Sequence, residues 1–170
     1  MRKAYCTLIA VISFVVFTRP AYPGHQDPPW DHQMNGPARF RVLSDFNGEA
    51  VLDRETGLVW EQSPSTTTRT WLAAHSHCNI ETVGNRKGWR LPTIQELASL
   101  VDPNESNPAL LSQHPFSNVQ PSFTWSATTN GTNTNNAWFV QFVNGGLGTG
   151  GKALTFFVWC VRGGQGSDPQ

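Results

Sequence analysis

The stretch from Gly88 to Leu97, Gly-Trp-Arg-Leu-Pro-Thr-Ile-Gln-Glu-Leu, leaves the backbone few choices. Pro92 cannot donate a backbone hydrogen bond and disfavours helix at Leu91, so an extended segment carrying Trp89 and Arg90 must end there. Thr93 and Glu96 stand at capping-box spacing. The Thr93 hydroxyl can accept from the Glu96 amide, and the Glu96 carboxylate can reach back to the Thr93 amide. Leu97, Leu100 and Val101 then recur at helical spacing. The segment predicts a strand-to-helix corner followed by a short helix with one buried stripe. Trp89, Arg90, Pro92, Thr93 and Glu96, together with Trp60, are the expected fold-defining residues.

The rest of the chain alternates short strand signals with loops. Ala50–Asp53 and Leu58–Glu61 flank Arg54-Glu55-Thr56-Gly57 and predict a hairpin. Ser63–Thr70 has loop composition. Thr70 can cap a helix whose apolar face is Trp71, Ala74 and Cys78. Gly84–Gly88 predicts a polar turn, and Asp102–Ser122, with four prolines, a long irregular segment. Phe123–Ser126 and Ala137–Val143 predict strands around the polar loop Thr128–Asn136. Asn144–Gly151 predicts a glycine-rich turn and Leu154–Arg162 one last strand. Two short helices, a small, mostly antiparallel sheet and long loops make the expected class α+β.

The ends differ from this middle. Ala4–Phe17 is almost unbroken apolar sequence behind Arg2 and Lys3, the length of a signal-peptide core and short for a bilayer span. Residues 1–23 are expected to be a cleaved secretory signal, with an uncleaved anchor as the alternative. Residues 24–39, rich in Pro, Gly, Gln and His, are expected to form a linker, 40–163 the domain, and 164–170 a disordered tail. The chain has 12 Lys and Arg against 12 Asp and Glu. Loss of Arg2, Lys3 and Arg19 leaves it slightly acidic, which argues against a nucleic-acid-binding surface. Loss of Cys6 leaves Cys78 and Cys160, two cysteines in an exported chain, which predict one disulfide. Closing so long a loop stabilises by ~4.5 kcal/mol in the chain-entropy description. Two free buried thiols are the alternative.

Signals for catalysis are sparse. His75-Ser76-His77-Cys78 looks like a metal cluster, but residues two apart on a helix point away from each other, so His75 and His77 cannot share an ion. Asp102-Pro103-Asn104-Glu105 lacks the spacing of a calcium loop. No nucleophile elbow, Walker loop or dinucleotide fingerprint is present. Arg86, Lys87 and Arg90 could receive an anionic glycan; a solvated turn with Arg90 paired to a carboxylate is the plainer reading. Glu96, as a lone carboxylate, is accounted for by capping. No cofactor or metal is expected.

The segments LDRETGLVWEQ (52–62), TW (70–71) with Cys78, GWRLPTIQELASLVD (88–102), TWSAT (124–128), AWFVQF (137–142) and CVRG (160–163) occur in the order seen in the Lcl C-terminal domain family, which the chain resembles over about 40–163. The resemblance implies a C-type-lectin-like fold and an exported, non-enzymatic recognition or adhesion module whose partner is a glycan or a surface protein. A structural subunit of an envelope or fimbrial assembly is the alternative. RLPT followed by Glu also resembles formylglycine-generating enzymes, but those need a close pair of reactive cysteines. The chain carries neither a Gly-x-y collagen stalk nor the sugar-binding calcium triplets of C-type lectins. The expected ligand-binding residues are Asn130, Thr132, Asn133, Asn135 and Asn136, whose groups can both donate and accept. Trp125 and Trp138 are expected to offer a flat apolar face beside them.

Overall fold

The structure, a computed structural model, describes residues 34–163. The expected signal segment 1–23, most of the expected linker and the tail 164–170 lie outside the described residues.

The fold begins earlier than expected. Residues 34–39, assigned to the linker from composition, lead into helix α1 (Gly36–Arg39), capped by Asn35, whose side chain accepts from the Ala38 amide at 3.0 Å. Arg39 is buried. Its Nε and Nη2 donate to the two oxygens of Asp53 at 2.9 and 2.7 Å, and Nη2 also donates to the Ser99 carbonyl. A buried guanidinium needs this much compensation, and only folded chain supplies it.

From there the chain builds β1 (Phe40–Val42), β2 (Ala50–Asp53), β3 (Val59–Glu61), β4 (Ser65–Arg69), α2 (Trp71–Ile80), β5 (Trp89–Arg90) and α3 (Ile94–Ala98). After the irregular stretch follow β6 (Phe123–Thr129), β7 (Asn136–Gln141), β8 (Gly146–Gly151), β9 (Phe156–Val158) and β10 (Val161–Arg162). The class is mixed α and β with few helices. There are two sheets rather than one, ordered β1-β2-β3-β10-β5 and β4-β9-β6-β7-β8. All pairs are antiparallel except β6 with β9.

Three expected loops or strands differ. Ser65–Arg69, expected as loop, is the edge strand β4, paired to β9. Gly146–Gly151, expected as turn, is β8, paired along its whole length with β7. The single expected strand Leu154–Arg162 is split: β9 lies in the second sheet and β10 in the first, with Trp159 and Cys160 at the crossing.

The corner forms as expected. β5 ends before Pro92, Thr93 Oγ1 accepts from the Glu96 amide at 3.2 Å, and Glu96 Oε2 accepts from the Thr93 amide at 2.8 Å. Glu96 also receives both Arg90 terminal nitrogens, at 2.8 and 2.6 Å. At α2 the expected cap is weaker: Thr70 occupies the N-cap position, but its side chain makes no capping bond.

Two apolar clusters hold the sheets and helices together. One gathers Trp60, Trp159, Phe116, Phe142, Leu97 and Leu100, with the Trp60 and Trp159 rings edge-to-face at 5.7 Å. The other gathers Trp89, Trp125, Ala74 and Val158 around Cys78 and Cys160. These cysteines form a disulfide, tying α2 to the crossing between the sheets. Each fully buried large side chain contributes about 1.5–3 kcal/mol.

Candidate ligand-binding site

The β6–β7 hairpin presents the Asn/Thr loop. Thr129 pairs with Ala137, and the Asn130 amide donates to the Asn136 carbonyl at 2.9 Å, so residues 130–136 close the hairpin. Asn130 Oδ1 accepts from the amide and hydroxyl of Thr132, and Asn133 Oδ1 from the Asn135 amide. These local bonds, characteristic of Asx turns, shape the loop, and the Lys152 amide donates to the Asn135 carbonyl at 2.9 Å. Thr132, Asn133 and Asn135 are exposed; Asn130 and Asn136 are half-buried.

The two tryptophans proposed beside this loop part company. Trp125 is fully buried, stacked near Phe156 at 4.2 Å, with its Nε1 donating to the Arg69 carbonyl. It has no face for a ligand, and its place among the ligand residues is corrected. Both faces of β6 are covered here, and pairing opposite Phe139 puts Trp125 on the face where Phe156 packs. Trp138 is half-buried. It lines a groove of about 380 Å³ with Ile94, Gln95, Ala98, Thr128 and Leu147.

The groove follows from local sequence. α3 lies over β6 and β7, anchored by the Ile94 amide, which donates to Thr128 Oγ1 at 3.0 Å. Leu147 pairs opposite Val140, two residues beyond Trp138, and so lies on the Trp138 side of the sheet. It is 54% exposed, which leaves an apolar rim open. Gln95 supplies an amide at the edge. Thr128 and Trp138 each stand two residues from the Asn/Thr loop, which places the loop at one end of the groove without lining it. The groove residues Ile94, Gln95, Ala98 and Leu147 were not expected from sequence; their nearness depends on α3 crossing a sheet formed more than twenty residues later.

The charged candidates are used structurally. Arg90 is tied to Glu96 and to the Gly163 carbonyl. The Arg86 guanidinium lies over the Phe46 ring at 5.7 Å, and the Lys87 carbonyl accepts from Arg162. Burial alone raises the Glu96 carboxyl, but the bonds from Arg90 and Thr93 outweigh it and hold it below the usual range. Asp102 Oδ1 accepts from the Asn104 amide and side chain, an Asx turn. His75 packs edge-on against Trp71 at 4.3 Å. His77 Nδ1 lies 3.0 Å from Glu81. Glu61, whose Oε2 accepts from the Cys160 amide at 2.8 Å, is pushed up to about 7, chiefly by burial.

Fold and site together define a disulfide-closed α+β domain with an aromatic groove at the root of a polar loop. The sequence pattern of the Lcl C-terminal domain matches residues 49–162, and the chain belongs to that family. No curated protein matches it. Among the described residues no helix is long and apolar enough to cross a membrane.

Proposed function

We propose that this domain is an exported, non-enzymatic recognition module that holds a glycan, or a sugar-bearing surface partner, at the Trp138 groove and the adjoining Asn/Thr loop. The observation that carries the reading is Trp138 itself: a half-buried indole in an apolar groove, on a strand that begins where the polar loop 130–136 ends. Sugar rings offer one apolar C–H face and a rim of hydroxyls that both donate and accept, and this surface offers the complement. Loops on a rigid scaffold are where recognition usually resides, and the 82-residue disulfide span stiffens this one.

A C-type-lectin-like architecture is part of the proposal. It is supported by the few helices, the disulfide from α2 to the last strands and the long irregular stretch before β6. Export is supported by the disulfide, which persists in oxidising compartments. The evenly balanced charge favours a neutral ligand over nucleic acid.

A glycan array tests this. The wild-type domain is expected to retain a chemically related set of glycans. A chain with residues 130–136 replaced by an equal length of Gly and Ser is expected to lose them. A folded replacement that keeps the same binding would move the site elsewhere. One observation favours the alternative of a structural subunit: Leu72 and Ile80 on α2 are 71% and 76% exposed, an apolar face suited to packing against protein. An array without hits, with assembly lost on Leu72→Glu, would favour that reading.

A further inference from the structure

Away from the groove, three chain segments bring metal-ligating atoms together. A carboxylate oxygen of Glu61, a ring nitrogen of His77 and the Cys160 sulfur lie within 4.8 Å of one another. Cys78 Sγ is bonded to that same sulfur, so a second sulfur adjoins the cluster. Glu61 ends β3, His77 and Cys78 share α2, and Cys160 sits where the chain crosses between the sheets. Glu61 is 5% exposed and, among the described residues, forms no salt bridge.

We propose that reduction of the Cys78–Cys160 disulfide turns this cluster into a zinc site, with the two thiolates, a His77 ring nitrogen and a Glu61 carboxylate oxygen as its four ligands. Zinc takes four such N, O and S ligands in a tetrahedron, and thiolates select it over harder cations. Zinc–ligand bonds of ~2.0–2.3 Å place ligand atoms roughly 3.3–3.8 Å apart. The present cluster therefore has to close by about 1 Å, a movement that sulfurs freed from each other can supply by side-chain rotation.

Further features fit the assignment. Glu81 lies 3.0 Å from His77 Nδ1; with Nε2 as the ligand atom, it is the kind of carboxylate partner that orients a zinc histidine. Two of the four groups border surface hollows. Glu61 lines a cleft of about 240 Å³ with Glu49 and Gln62. His77 lines the shallow hollow over α2. Arg69 is the neighbouring cation, and Glu81 offsets it.

The chemistry balances with a dithiol as reductant. The dithiol gives two electrons and two protons to the Cys78–Cys160 bond and becomes a disulfide itself. Two thiols result. Zinc then displaces both thiol protons, and the Glu61 proton where it is present, as four coordinate bonds form. In the oxidised domain the bonded sulfurs are poor ligands and only His77 and Glu61 remain, so tight binding is confined to the reduced state.

Titration with Co²⁺ and Zn²⁺ tests this on the domain beginning at Met34, oxidised and after reduction by a non-thiol phosphine. Co²⁺ is expected to bind the reduced domain one to one, with intense thiolate charge-transfer and tetrahedral d–d absorption, and Zn²⁺ to displace it. The oxidised domain is expected to show neither band. His77→Gln and Glu61→Gln, near-isosteric changes that keep both thiols, are each expected to weaken binding by about tenfold or more. Near-UV circular dichroism reports whether the reduced domain is folded with and without metal. Absence of Co²⁺ binding on reduction would overturn the proposal. So would binding unaffected by both substitutions, the behaviour of two thiols in an unfolded chain.

Discussion

Replacing Arg39 by Met removes the guanidinium that holds Asp53 and retains most of the apolar stem. Arg39 holds Asp53 through two short parallel bonds and Glu55 through a third contact at 2.8 Å. Asp53 is fully buried, so its charge loses the cation that pairs with it. Breaking a buried pair by deleting one partner costs about 3–5 kcal/mol. Asp53 still accepts from the Glu55 amide and the Thr56 hydroxyl, at 3.0 and 2.9 Å, which places the cost near the lower end. The lost Glu55 contact is partly exposed and adds at most about 1 kcal/mol. The expected total is about 3 kcal/mol. With a urea slope of about 1.5 kcal/mol/M, the tryptophan-fluorescence midpoint should fall by about 2 M. A chain beginning at Phe40 should lose at least as much, and adding Asp53→Asn to Arg39→Met should restore part of it. A loss below about 0.5 kcal/mol, as for an ordinary surface change, would refute the reasoning and return residues 34–39 to a linker.

Further outcomes follow from the corner, the core and the cysteines. Thr93→Ala should destabilise by about 1 kcal/mol through loss of the cap, measured by urea unfolding. The lowered Glu96 pKa means the folded state favours the ionised form, so its contribution is complete above the ordinary carboxylate range and is lost as pH falls through the folded value. The stability gap between wild type and Glu96→Gln should therefore narrow from pH 6 to pH 3; a constant gap would contradict it. Trp125→Ala should cost about 3–5 kcal/mol, as for a large buried aromatic, and Trp138→Ala clearly less. Thiol titration of the domain from Met34, denatured without reductant, should find no free thiol, and two would remove the disulfide.

What the sequence made legible was local. Pro92, Thr93 and Glu96 lie within five residues, so the corner needs no distant partner to form. The hairpin at Arg54–Gly57 is likewise set by its own turn. The misjudged segments depend on partners far along the chain. Ser65–Arg69 becomes a strand because β9, some ninety residues later, pairs with it. Gly146–Gly151 looks like a turn because glycine disfavours strands, yet here the missing side chains make room for rings. A Cβ on Gly148 would fall 2.7 Å from Phe139, and one on Gly150 3.0 Å from Phe156. The candidate site divides the same way. The Asn/Thr loop was visible as composition. That Trp138 faces a groove while Trp125 faces the core is decided by register, since Trp125 pairs opposite Phe139 and so lies on the other face from Trp138. Likewise helical spacing separates His77 from His75, but the nearness of His77 to Glu61 and Cys160 belongs to the tertiary fold.

The recognition account rests on Trp138, and its most direct test is the dissociation constant of the wild-type domain and of Trp138→Ala for a glycan that the array identifies. Circular dichroism and thermal unfolding establish that the variant is folded. The account predicts at least about tenfold weaker binding, or about 1.4 kcal/mol, from losing the indole face. A folded Trp138→Ala domain that binds the same glycan with unchanged affinity would contradict it.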